Sequence, residues 1–168
     1  MRLYDPTNRT VIFDLDGTLF DISHRMHLIK PELAKMDQGF TPDWKAFFKS
    51  CADDAPIWNV IDIALAMKAA GFKIAFITGR SDEIKYETVV SIHKYLGWLE
   101  IEGDYTLHMR KEGDHRPDDI LKKELLLKAF PTKQDLETIV GVFEDRKQVV
   151  EMYRSLGLRV FQVDEGNF

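Results

Sequence analysis

Five short apolar runs punctuate this chain: TVIFDL at 10–15, KIAFIT at 73–78, YTLHMR at 105–110, TIVGVFED at 138–145 and RVFQV at 159–163. Their hydrophobicity is continuous rather than alternating, which in a strand means burial on both faces. Helical patterns fill the intervals, from Val60 to Ala70, Asp82 to Leu96, Asp119 to Phe130 and Arg146 to Leu156, with apolar residues recurring every three or four positions. Gly71, Gly97 and Gly157 follow three of these helices, where a left-handed residue closes the last turn. The alternation predicts an α/β, Rossmann-like parallel sheet flanked by helices, with ligands gathered at the carboxyl ends of the strands. The stretch at about 20–58 breaks the pattern, holds no clear strand, and reads as a small helical cap or insertion after the first strand. Its aromatics Phe40, Trp44, Phe47, Phe48 and Trp58 either line a substrate pocket or form the insertion's own small core. The helical spacing of Trp44, Phe47 and Phe48 favours the core.

The first run ends in Asp14-Leu-Asp16-Gly17-Thr18. Alternate side chains on an extended chain share a face, so Asp14 and Asp16 leave the strand towards one small volume, and Gly17 lets the backbone turn. Two carboxylates so placed repel, and a bound divalent cation, Mg²⁺ by preference, keeps both useful at neutral pH. Phosphoryl transfer needs a nucleophile, charge neutralisation and a proton donor for the leaving oxygen. Asp14 fits the nucleophile. Asp16 fits the acid and base, a duty that predicts a pKa nearer neutrality than a free aspartate's. At the end of the second strand Thr78 offers a hydroxyl, Gly79 an approachable N–H and Arg80 a forked cation to a phosphate. In RPDDILKKE, Asp118 and Lys122 lie four apart, either as a surface pair that steadies the helix or as a lysine holding phosphate with an aspartate orienting it. Glu144 and Asp145 leave the fourth strand as acids suited to an oxygen shell around magnesium, or as helix N-terminal acids favoured by the macrodipole.

Asp14-x-Asp16-Gly17-Thr18, Thr78, Lys122 and Glu144-Asp145 resemble, in order, the four motifs of the haloacid dehalogenase (HAD) superfamily of phosphotransferases. The resemblance implies magnesium bound by Asp14, by Asp16 through its main-chain carbonyl, and by Asp145, with an aspartyl-phosphate intermediate. A narrower likeness is to the 3′-phosphatase domain of bacteriophage polynucleotide kinase/phosphatases. It rests on Arg25 eleven residues after Asp14, Gly79-Arg80, the R-x-D-D-x-x-K run from Arg116 to Lys122, Glu144-Asp145-Arg146 with the following Val-Val-Glu-Met, and the ending from Gln162 to Phe168. That likeness implies that Arg25, Arg80 and Asp118 bind or position phosphate. Three features depart from the family: no G-x-x-x-x-G-K-[ST] occurs, so ATP-dependent kinase activity is not expected; Glu144 replaces an aspartate, a longer arm able to reach metal through water; and the stretch after Arg25 is longer.

At 168 residues, 45% hydrophobic and 30% charged, one domain over 1–168 is the expectation. The net charge of −5 argues against a broad nucleic-acid footprint, leaving a local basic pocket. The single cysteine, Cys51, excludes an intrachain disulfide and reads as a small buried filler. No apolar stretch reaches membrane-spanning length, the start lacks a signal-peptide core, and a cytoplasmic location follows. His24 and His27, three apart, lack the further soft ligands of a zinc site. These features point to a Mg²⁺-dependent phosphomonoesterase for nucleotide or polynucleotide phosphate, with a nucleic-acid 3′-phosphate end as the leading substrate. The alternatives are a 5′(deoxy)nucleotidase for free mononucleotides, whose insertion closes over a small substrate, and a non-catalytic HAD-fold partner of a separate kinase.

Overall fold

The computed structural model describes residues 5–34 and 39–166. Residues 35–38 of the expected cap, and the final Asn167 and Phe168 of the family-like ending, lie outside the described residues. In chain order the elements are β1 Thr10–Phe13, β2 Phe20–Asp21, α1 Pro31–Ala34, α2 Trp44–Lys49, β3 Ala55–Pro56, α3 Trp58–Ala69, β4 Lys73–Ser81, α4 Lys85–Leu96, β5 Thr106–Arg110, α5 Asp118–Ala129, α6 Lys133–Glu137, β6 Ile139–Arg146, α7 Lys147–Ser155 and β7 Val160–Gly166.

Five strands form one sheet in the order β5-β4-β1-β6-β7, every pair parallel. This is the Rossmann-like sheet that the continuous apolar runs predict. Alternate residues of β1 feed two cores: Val11 and Phe13 join Ile74, Phe76 and residues of α3 and α4 on one face, while Ile12 joins Ala75, Val142 and residues of α5 and α7 on the other. The central position of β1 is what demands apolar residues on both sides. Phe13 stacks on Phe143 across the sheet at 4.7 Å between ring centroids. At the end of α4, Gly97 has φ of 70° and its N–H donates to the His93 carbonyl, the cap expected there.

Three local expectations differ from the structure. β1 stops at Phe13, and Asp14 to Phe20 form a tight turn in which the Leu15 carbonyl accepts from the N–H groups of Leu19 and Phe20. β4 runs through Thr78, Gly79 and Arg80 to Ser81, so these residues continue the strand rather than follow it. The 20–58 stretch does contain strands: β2 and β3 pair antiparallel, Phe20 opposite Pro56 and Asp21 opposite Ala55. Two residues per strand are too few for an alternation to register in sequence. Between them lie a 3₁₀ helix at Ser23–Leu28, α1, α2 and a second 3₁₀ helix at Ser50–Asp53. Ile22, Met26 and Phe47 form a separate small core there, as helical spacing predicted for Phe47. Trp44 and Trp58 do not join it; they are 51% and 58% exposed. Cys51 is fully buried.

Candidate active site

Three groups of side chains cluster at the carboxyl ends of β1, β4 and β6, beside a cavity of about 510 Å³ that Asp14, Asp16, Asp118 and Lys122 line. In the first, Lys122, reaching in from α5, sits 2.8 Å from both Asp14 Oδ1 and Glu144 Oε2 and is almost wholly buried with them. Asp14, Glu144 and Asp145 each offer a carboxylate oxygen, all within 4.8 Å of one another. These are hard oxygen donors of the kind magnesium takes, and the set fits a divalent cation. Burial pushes Asp14 well up from the ordinary carboxylate range against the pull of Lys122, with Glu144 and Asp16 adding to the rise. Asp145 is pushed up to about 7 by burial and by the charge of Asp14. Burial likewise raises Glu144, which Lys122 pulls the other way and Asp145 pushes further up. Although burial acts to lower Lys122, the charges of Asp14 and Glu144 hold its pKa far above the ordinary value, so it stays an ammonium.

Asp145 is held by absence as much as by contact. A Cβ built on Gly17 would lie 2.8 Å from the Asp145 Cγ, and one on Gly166 would lie 2.7 Å from it, closer still to Oδ2 in both cases. Only the bare backbone of two glycines leaves room for the carboxylate. Gly17 adds a second requirement, a φ of 79°. Thr18 Oγ1 lies 3.4 Å from Asp145 Oδ1.

The second group surrounds Asp16. Arg25 Nη2 donates to Asp16 Oδ1 at 2.8 Å and Arg80 Nε to the same oxygen at 2.7 Å. Behind them Asp54 accepts from Arg25 Nε and Nη2 and from Arg80 Nη2, each at 2.7 Å. Both guanidiniums are fully buried, one over the Phe47 ring at 4.1 Å and the other over Phe20 at 5.3 Å. Two cations balance two carboxylates. This corrects the expectation for Asp16: burial pushes its pKa up, but Arg80 and Arg25 overcome that and hold it below the ordinary carboxylate range. Asp14 and Asp16 share the cavity but not their partners.

The third group is built on Asp118, which pairs with Arg110 and, at 2.5 Å, with Arg146 Nη1. The Asp118 to Lys122 surface pair is therefore absent; each side chain turns to a different cluster. Gly79 owes its identity to Asp118, whose carboxylate oxygens a Cβ there would meet at 3.0 and 3.1 Å. The Gly79 carbonyl accepts from Arg110 Nε at 2.9 Å. Thr78 is wholly buried, and its hydroxyl accepts from the Arg80 N–H at 3.2 Å. Among the expected site residues, Asp14, Asp16, Gly79, Asp118 and Lys122 line the cavity, together with Arg110, Arg146, His115 and, from the 20–58 stretch, Trp44, Lys45 and Phe48. Sequence reasoning missed Asp54: Asp53-Asp54 reads as a solvated turn, and no spacing rule ties it to arginines at 25 and 80. His24 Nε2 lies 2.9 Å from Asp54 Oδ1.

The family model of the polynucleotide kinase PNKP phosphatase domain matches residues 8–168. The chain belongs to this family. It is a HAD phosphatase. Two solved structures titled as the Pnkp1/Rnl/Hen1 complex, one of them as an RNA repair complex, resemble it at 29% and 30% identity, with TM-scores of 0.69 and 0.70 over 95% of this chain. It spans 46% and 43% of those chains, less than half their length. CbbY from Rhodobacter sphaeroides in complex with phosphate shares the fold at 17% identity, with a TM-score of 0.59 over 95% of this chain and 87% of that one. No helix among the described residues is long and apolar enough to cross a membrane.

Proposed function

We propose that this phosphatase removes phosphate from polynucleotide 3′ ends, with Mg²⁺ as cofactor and Asp14 as nucleophile. The observation that carries the reading is the convergence of Asp14, Lys122, Glu144 and Asp145 on one buried point beneath an open cavity, in a chain of the polynucleotide kinase phosphatase family. Membership of a phosphatase family, with both aspartates of the first motif present, sets aside the non-catalytic alternative.

Asp14, Asp145, Glu144 and the Asp16 carbonyl would hold the cation, whose chemistry is to neutralise phosphate charge and carboxylate repulsion. Asp14 attacks phosphorus, the bond to the ester oxygen breaks, and the leaving alkoxide takes a proton from Asp16. Asp16 then removes a proton from water as that water attacks the phosphorus, releasing inorganic phosphate and restoring Asp14. The first step needs Asp16 protonated, which the resting arginines oppose. An arriving phosphate dianion beside Asp16 disfavours a second negative charge and raises its pKa again. Lys122 fixes Asp14 in line and adds positive charge to the phosphate site. Arg25, Arg80 and Asp54 act on Asp16, while Asp118 sets Arg110 and Arg146 at the cavity wall. Gly79 supplies the strand end against which the phosphate rests, and the buried Thr78 hydroxyl accepts from the Arg80 N–H behind it.

The test is inorganic phosphate release with Mg²⁺ from 3′-phosphorylated DNA and RNA oligonucleotides, 3′-mononucleotides and 5′-mononucleotides. Preference for oligonucleotide 3′ ends is expected. Preference for 5′-mononucleotides, which the net charge of −5 would favour, overturns the substrate and leaves a nucleotidase.

A further inference from the structure

Trp44 is a large aromatic side chain with half its surface left open, in a segment that has already built its core from Phe47, Ile22 and Met26. It leans edge-on against Phe47 at 5.7 Å and lies 6.1 Å from Phe48, and with Phe48 it lines the same cavity as Asp14 and Lys122. An exposed aromatic on a cavity wall is informative in a way that a scattered surface leucine is not. The next residue, Lys45, lines the cavity too.

The charges around that cavity single Lys45 out. Lys122 is held by Asp14 and Glu144, Arg110 and Arg146 by Asp118, Lys111 by Asp82, and Arg116 by Asp114 and Glu124. Among the described residues Lys45 is the cavity-lining cation with no carboxylate partner. Helix α2 therefore presents a bare aromatic and an unpaired ammonium, side by side, to the cavity. A planar base stacks on the first, and a phosphodiester neutralises the second.

Building on the proposed 3′-end activity, we infer that α2 is a platform for a single-stranded polynucleotide end, with a nucleobase on Trp44 and an internucleotide phosphate at Lys45. With the phosphate to be cleaved at Asp14, the platform assigns Lys45 to a second one, which a free mononucleotide does not possess. The platform thus makes the substrate a strand and not a nucleotide. It also reconciles a net acidic chain with nucleic acid, because recognition is confined to one local cation and one stacking surface.

The experiment compares the parent with Trp44→Ala, Trp44→Phe and Lys45→Ala on a 3′-phosphorylated single-stranded oligonucleotide, a 3′-mononucleotide and p-nitrophenyl phosphate, between 50 and 200 mM salt. For Trp44→Ala the ratio of kcat/KM on oligonucleotide to that on p-nitrophenyl phosphate falls about five- to a hundredfold, mainly through KM, and Trp44→Phe restores most of it. For Lys45→Ala the slope of log kcat/KM against log salt on the oligonucleotide becomes shallower by about 0.7, with no change of slope on the mononucleotide. A ratio that stays at the parent value in Trp44→Ala, or a slope that stays in Lys45→Ala, overturns the platform while leaving the 3′-end activity intact. An equal loss on oligonucleotide and mononucleotide, with the salt slope unchanged, overturns the strand in favour of a lone nucleotide. A parent enzyme with no turnover of any 3′-phosphorylated oligonucleotide overturns the functional reading, and the platform with it.

Discussion

Replacing Gly166 with alanine tests whether the end of an edge strand sets the position of the metal-side carboxylate. Gly166 pairs with Arg146 in the sheet, and the Cβ it lacks would lie 2.7 Å from the Asp145 Cγ. The Asp145 Oδ2 would be nearer still, at 1.9 Å, and ordinary contact begins at 3.4 Å, so the carboxylate or the strand end has to retreat by about 1.5 Å. The same carboxylate also meets Gly17, where a Cβ would likewise be too close, so its room to move is narrow. A displacement of about 1 Å or more at a catalytic group costs on the order of a hundredfold in rate, and disturbed support of a metal ligand about ten- to a hundredfold in metal affinity. The expected outcome is a drop of about tenfold or more in kcat/KM, with a matching loss of Mg²⁺ affinity by titration calorimetry. Overpacking should lower stability by about 1–3 kcal/mol, read by urea unfolding. Gly103→Ala serves as the control: Gly103 has a positive φ, which Gly166 has not, and nothing within 4 Å of its would-be Cβ, so only stability should fall. The reasoning is refuted if Gly166→Ala is destabilised yet keeps parent Mg²⁺ affinity and turnover, for then the strand end peels away and Asp145 never moved.

Asp14→Asn should abolish phosphate release while the chain stays folded, and chelation of Mg²⁺ should do the same; residual turnover in either case contradicts the proposed nucleophile or cofactor. Lys122→Met leaves Asp14 and Glu144 buried without their cation, and should cost about 3–5 kcal/mol in unfolding free energy; a parent-like denaturant midpoint would count against the pairing. Asp54→Asn removes one of two carboxylates between two buried arginines, so both stability and kcat should fall with KM moving less, and parent-like kcat would show that Asp16 is held without it. Asp145 has a pKa raised from 3.8 to about 7. A raised acid is favoured in its protonated form by the folded state, so metal-free stability should decline as pH rises from about 4 through about 7. Mg²⁺ should reverse that decline and release protons on binding near neutral pH, measurable by calorimetry in buffers of different ionisation enthalpy; binding without proton release would refute the raised value.

The sequence by itself determined the sheet and which acids and hydroxyls gather at its strand ends. Both depend on local signals: continuous apolar runs can only be strands buried on two faces, glycines mark the helix ends, and acids, a threonine and a lysine occur where strands end or helices begin. That is why the four principal helices and five sheet strands fall within a few residues of their expected bounds, and why Asp14, Glu144, Asp145 and Lys122, expected to share one site, lie together in the structure. The tertiary structure alone decided partners. Asp118 and Lys122 share a helix face yet serve different clusters, because β6 delivers Arg146 to one and Glu144 to the other. Arg25 and Arg80 face two carboxylates in the dry interior, and one of these, Asp54, reaches the site only because a two-residue strand pair, β2 with β3, folds the cap back. The same docking reverses the expected pKa direction of Asp16, since a charge's energy depends on its neighbours in space and on the water it has lost. It also sends Phe47 into the cap's core and leaves Trp44 open to the cavity, a division that helical spacing does not make because it describes a helix face and not what that face meets.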